Sequence, residues 1–184
     1  FLSGEGRKAQ EIINPASHEV LGHLPHASRA DLDRALAAAA RAFETWRDSS
    51  PMQRSEILRK VAQLSRDRAQ EIGRNMTLDQ GKPLAESVGE IVSCADHADW
   101  HAEECRRIYG RVIPARNPSV HQYAVREPVG VCAAFTPWNF PYNQAIRKVC
   151  AAIGAGCTII LKGPEDAPSA VMAIARMFHD AGLP

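Results

Sequence analysis

The chain has 184 residues, 45% of them apolar and 23% charged, ordinary proportions for a globular protein able to bury a core. Its 22 Lys and Arg against 21 Asp and Glu leave a net charge of +1, which excludes bulk electrostatic attraction to nucleic acid or anionic membrane as a basis for function. No apolar run approaches the roughly 18 residues needed to span a bilayer, and the start at Phe1 has no basic–apolar signal pattern. Five cysteines, at 94, 105, 132, 150 and 157, contain no CxxC pair, so the expectation is reduced thiols in a cytoplasmic setting.

The opening segment is predicted as β: Glu11-Ile12-Ile13, an Asn14-Pro15 turn, then His18 to Gly22. A helical block follows. Ser28 with Asp31 three residues on is a cap-like start, and the alanine-rich stretch Ala35 to Trp46 has high helix propensity. Ser50-Pro51 begins a second helix with Ile57, Leu58, Val61 and Leu64 at helical spacing. A third is predicted from Ala69 to Leu78, stopping near Gly81-Lys82-Pro83, and a fourth from Leu84 to Tyr109, ending at Gly110. Residues 1–110 thus read as N-terminal strands and a helical layer. Residues 111–127 read as a β-hairpin, Arg111-Val112-Ile113 and Val120 to Val125, too poor in large apolar side chains for a core and suited to an arm. From 128 to 184 the pattern alternates: strand Val129–Phe135, helix Tyr142–Ile153, strand Thr158–Leu161, helix Ser169–Asp180. Short apolar strands alternating with helices predict an α/β fold with a parallel sheet covered on both faces.

In such a sheet the loops leaving the C-terminal strand ends share one edge, where ligands bind. Two unusual loops leave it here, Thr136 to Pro141 and Lys162 to Pro168, so they face one crevice although 23 positions separate Asn139 from Lys162. Prolines 137 and 141 stiffen the first loop. Its amide, Asn139, either aims a hydrogen-bond donor at a developing oxyanion or caps the following helix. The second loop sets Lys162 beside Glu165, either to hold the hydroxyls of a ribose or as an ion pair in a solvated turn. No GxGxxG follows the first strand, so the usual dinucleotide fingerprint does not apply. Cys94, His97, His101 and Cys105 form a helical stripe roughly 16 Å long, too long for one tetrahedral ion, and read as packing or surface residues rather than a metal site. Trp46 and Trp100 read as core or interface residues.

With these residues in view, the chain resembles the N-terminal part of an aldehyde dehydrogenase, nearest the succinate-semialdehyde branch. The likeness covers nearly the whole chain: Asn14-Pro15, the Thr77 to Leu84 stretch, Trp100 to Ile113, the Glu127 to Val131 lead-in and, most specifically, the Thr136 to Pro141 loop. The resemblance implies a Rossmann-like cofactor-binding sheet, incomplete here, and an oligomerisation arm at 111–127. It implies that Asn139 is the side-chain half of the oxyanion hole, that Thr136, Pro137 and Trp138 line the nicotinamide, and that Lys162 and Glu165 hold the adenine ribose of NAD, with NADP as the alternative. Arg147, eight residues after Asn139, would bind a substrate carboxylate; otherwise it is a helix-surface charge. The implied reaction begins with a cysteine thiolate attacking a small aldehyde. Hydride then passes to the cofactor, and the thioester is hydrolysed to an acid, in a homodimer or homotetramer. Two features depart from the family pattern. The second loop reads Lys-Gly-Pro-Glu, and the chain stops at Pro184, before the family's nucleophilic cysteine and general-base glutamate. The expectation is therefore part of an enzyme, inactive alone; the rival is a non-catalytic association module.

Overall fold

A computed structural model of the chain describes residue 4 and residues 6–184. Strands β1 (Ala9–Ile13) and β2 (Val20–Pro25) pair antiparallel across the Asn14 turn, in which the Asn14 side chain accepts the Ala16 N–H at 2.9 Å. Helix α1 (Arg29–Trp46) starts on a full capping box, with the Ser28 hydroxyl and the Asp31 carboxylate each taking the other's backbone N–H. Helix α2 (Pro51–Asp67) starts on Ser50 with Pro51 in its first turn. Helix α3 (Ala69–Gln80) ends at Gly81, whose φ of +83° favours glycine and whose absent Cβ leaves room for Pro15.

Helix α4 (Leu84–Glu104) stops five residues short of its predicted end and tightens into a single 3-10 turn, Cys105–Arg107. The chain needs residues 108–110 to turn into β3 (Arg111–Ile113), which pairs antiparallel with β4 (Gln122–Ala124). Gly110 passes so close to the Ala124 carbonyl that a Cβ would lie 2.3 Å from its oxygen. The hairpin falls within the expected 111–127 segment, and Val112 and Tyr123 on it are exposed.

The last third is β5 (Val131–Phe135), α5 (Pro141–Gly154), β6 (Thr158–Lys162) and α6 (Pro168–Asp180), with β5 and β6 parallel and Phe135 opposite Lys162. Side chains of a strand alternate between faces. On β6, Ile159 and Leu161 pack on the core formed by α2–α6, where Leu58, Met76, Ile91, Tyr142, Ile146, Ile174 and Met177 are fully buried. Thr158 faces the other way, its hydroxyl donating to the Ala39 carbonyl of α1 at 2.9 Å. Trp46, at the end of α1, is buried and donates its indole N–H to the Ile153 carbonyl, whereas Trp100 lies exposed on α4. β6 is therefore covered on both faces, as expected. β5 is less covered: Val131 and Phe135 on one of its faces are exposed, Phe135 to 72%.

Candidate active site

The parallel register brings the two loops together at the edge of the sheet. One rung beyond the last strand pair, the Thr136 N–H donates to the Lys162 carbonyl at 3.2 Å, and the buried Thr136 hydroxyl reaches the same oxygen at 3.5 Å. Pro137, Trp138 and Asn139 follow on the exposed surface, while Lys162 and Glu165 stand on the neighbouring loop with Nζ and Oε1 2.7 Å apart. Both side chains of that pair are about half exposed, so a ligand can reach them. The ammonium beside it holds the Glu165 carboxyl below the usual carboxylate range.

Asn139 does not cap α5. The capping position is Phe140, and no side chain of the loop bonds to the helix start. Among the described residues no hydrogen bond is made by the Asn139 carboxamide; its contacts run through its backbone, whose carbonyl accepts from Gln80 Nε2 at 2.9 Å and from Lys82 Nζ at 3.1 Å. Gln80 also donates to the Trp138 carbonyl at 3.1 Å, and Lys82 lies 4.0 Å from the centre of the Phe140 ring. Lys82 is paired with Glu90 of α4, both nearly buried, and the other oxygen of Glu90 accepts the Asn143 N–H at 3.0 Å. A carboxylate from α4 thus caps α5.

Helix α6 is built the same way. It too has proline in its first turn and no side-chain cap of its own. Buried Asp79, at the end of α3, accepts the Ser169 N–H at 2.9 Å. Burial pushes the Asp79 carboxyl above the usual range. Its other oxygen has no partner among the described residues. Asp79, Gln80, Trp138 and Asp166 line a cavity of about 320 Å³ between these loops and the β1 strand. Gln80, Lys82, Glu90 and Asp79 were not among the expected site residues. The one local signal for them is a lysine locked between Gly81 and Pro83, next to an acid and an amide.

Arg147 lies on the exposed surface of α5, two helical turns from the loop, and its guanidinium approaches the Asn143 side-chain oxygen at 3.4 Å. The cysteines are placed otherwise. Cys94, Cys105, Cys150 and Cys157 are buried, and burial pushes the Cys94 thiol up to about 11 and raises Cys105, Cys132 and Cys150 as well. In the α4 stripe, the Cys105 thiol donates to the His101 carbonyl at 3.1 Å and Cys94 packs in the core, so these two serve packing.

The profile of the aldehyde dehydrogenase family matches residues 1–184. A glutarate-semialdehyde dehydrogenase of Pseudomonas putida is 39% identical over the whole chain, which spans 38% of that relative's length. The NADP(+) succinate-semialdehyde dehydrogenase of Escherichia coli is also 39% identical, again with the whole chain spanning 38% of its length. Among solved structures, the succinate-semialdehyde dehydrogenase of Burkholderia pseudomallei superposes with a TM-score of 0.94 at 39% identity, over 96% of this chain and 37% of that one.

Proposed function

This chain belongs to the aldehyde dehydrogenase family, and on that premise we propose that it forms the N-terminal portion of an NAD(P)-dependent enzyme. That enzyme oxidises an aldehyde, a carboxylated semialdehyde such as succinate semialdehyde, to the carboxylic acid. The observation that carries the reading is Asn139: its backbone is fastened from two sides while its carboxamide has no partner among the described residues. A capping or packing amide would spend its donor inside the fold. This one is left to donate its N–H to an oxygen outside it.

When an aldehyde carbon is attacked, its carbonyl oxygen takes up the negative charge, and a hydrogen-bond donor placed beside it stabilises that charge. The attacking thiol is not assigned to any of the five cysteines here. Four are buried, and burial shifts the Cys94, Cys105, Cys132 and Cys150 thiols upward, away from the reactive thiolate. Within this chain Asn139 contributes the oxyanion donor and Arg147 a cation for the far end of the substrate.

The residues fit a dinucleotide at the sheet edge. Lys162 and Glu165 offer a donor and an acceptor 2.7 Å apart on an accessible loop, the pairing that vicinal ribose hydroxyls need. Thr136, Pro137 and Trp138 would line the nicotinamide. The cofactor, when bound, accepts the hydride. We assign NAD as the preferred form, since the Glu165 carboxylate accepts from a free 2′-hydroxyl and repels a 2′-phosphate. The exposed arm at β3–β4 suits association into a homodimer or homotetramer, and the reading places the enzyme in the cytoplasm.

The test is Asn139→Ala in the full-length protein carrying this chain. Turnover should fall by about 10²–10³-fold while aldehyde KM changes much less, because the donor acts once the oxyanion exists. A variant within a few-fold of the parent rate would remove Asn139 from the chemistry.

A further inference from the structure

Among the described residues the Asn139 carboxamide has no hydrogen-bond partner, so what the fold fixes is the backbone that carries it and, with it, the direction of its Cα–Cβ bond. The direction of a Cα–Cβ bond follows from the two peptide planes that flank the Cα. The plane before Cα139 carries the Trp138 carbonyl, and the plane after it carries the Asn139 carbonyl. Gln80 Nε2 donates to both, at 3.1 and 2.9 Å, and Lys82 Nζ donates to the second at 3.1 Å. One side chain therefore spans both planes and a second fixes the latter.

Lys82 has no donor to spare. Its ammonium faces the Glu90 carboxylate, the Asn139 carbonyl and the Phe140 ring, and its side chain is only 11% exposed. This is a committed strut rather than a reactive amine. Glu90 fixes the strut at one oxygen and the start of α5 at the other, through the Asn143 N–H. The Asn139 segment is thereby held at one end by the α3–α4 turn and at the other by α4. Prolines at 137 and 141 restrict the remaining backbone torsions.

We propose that Gln80 and Lys82, with Glu90 behind them, are the positioning residues of Asn139: the turn between α3 and α4 aims the oxyanion donor. The proposal rests on the reading of Asn139 as that donor. It makes Gln80 and Lys82 part of the chemistry through Asn139 alone, with no contact to substrate of their own.

The experiment is a double-mutant cycle in the full-length protein. Gln80→Leu removes the contacts to both carbonyls without stranding a buried charge. It should lower kcat by about tenfold, the scale of a misplacement of a fraction of an ångström, with aldehyde KM within about twofold. On an Asn139→Ala background the same change should lower kcat by less than about twofold, since the group it aims is gone. Lys82→Met is the second variant and should follow the same pattern in its folded fraction. The proposal is overturned if Gln80→Leu keeps its full effect on the Asn139→Ala background, if its loss falls on KM with kcat unchanged, or if kcat stays at the parent value. Failure of the underlying reading is distinct: Asn139→Ala alone would then leave kcat near the parent.

Discussion

Arg147→Ala in the full-length protein tests the substrate assignment most directly. Arg147 lies six residues after Pro141, the first residue of α5, roughly 9 Å along the helix axis at 1.5 Å per residue, and Asn139 lies in the loop before that helix. Long side chains on a helix lean back toward its N-terminus. The 3.4 Å approach of the Arg147 guanidinium to the side chain of Asn143, one turn earlier, has that direction. The guanidinium therefore leans toward the loop that carries Asn139. Asn143 is a weak competitor, a neutral acceptor at long range, so the guanidinium keeps most of its donors for the substrate.

A bidentate arginine–carboxylate contact is charge-assisted in both bonds, and truncating one partner of such a pair costs about 2–5 kcal/mol where water is excluded. We take the lower half of that range, since Arg147 is exposed on this face. The expected loss in kcat/KM on succinate or glutarate semialdehyde is then about 30- to 300-fold. On a neutral aldehyde of equal length it should stay within about threefold, the scale of an exposed substitution. The assay is initial rates of NAD(P)H formation on matched carboxylated and neutral aldehydes. Equal losses on both substrates would refute the reasoning and reduce Arg147 to a structural charge of α5.

Glu165→Ser should raise the ratio of NADP to NAD catalytic efficiency, because it removes the carboxylate that repels a 2′-phosphate while Lys162 remains; a parent that already prefers NADP would end that argument. The purified 184-residue chain, verified by mass, should give no aldehyde-dependent NADH above background, since its assigned donor has no assigned nucleophile to work with. Asp79→Ala should destabilise the protein by about 1–2 kcal/mol in urea unfolding by leaving the partly buried Ser169 N–H without its acceptor. Asp79→Asn, which keeps an acceptor, should lie within about 1 kcal/mol of the parent. The Asp79 pKa is raised in the fold, so its contribution is largest below the unfolded carboxyl pKa and is lost as pH rises through the folded one. The advantage of Asn over Asp should therefore grow from acid to neutral pH, and a constant difference would show that burial is not what shifts Asp79.

What the sequence made legible was local. Ser28 with Asp31, Ser50 with Pro51, and Gly81 each mark a helix boundary through bonds or torsions within three or four residues, and each boundary lies where expected. The two loops were legible for a related reason. Strand–helix alternation fixes which strand ends share an edge, and the Thr136–Lys162 rung is the outcome. The caps of α5 and α6 were not legible, because their acceptors sit 53 and 90 residues away on other helices. The open face of β5 escaped for a similar reason. An apolar strand reads as buried on both sides, yet cover depends on which elements pack over it, and α1 among those is distant in sequence.

The two omissions at the helix starts are one feature. Both α5 and α6 begin with proline, which needs no N–H partner at its own position but contributes no capping side chain. Both follow loops that carry expected site residues, so a cap supplied from within either loop would occupy a polar group there. Asn139 is the obvious case: as a cap it would turn its carboxamide toward the helix and lose it for a ligand. Glu90 and Asp79 supply the missing acceptors from the helical layer instead, and Gln80 and Lys82 hold the loop by its carbonyls. The helical layer thus caps both helices and holds the loop backbone without drawing on the Asn139 carboxamide, and an amide carried on a held backbone yet without a partner among the described residues is what the functional reading depends on.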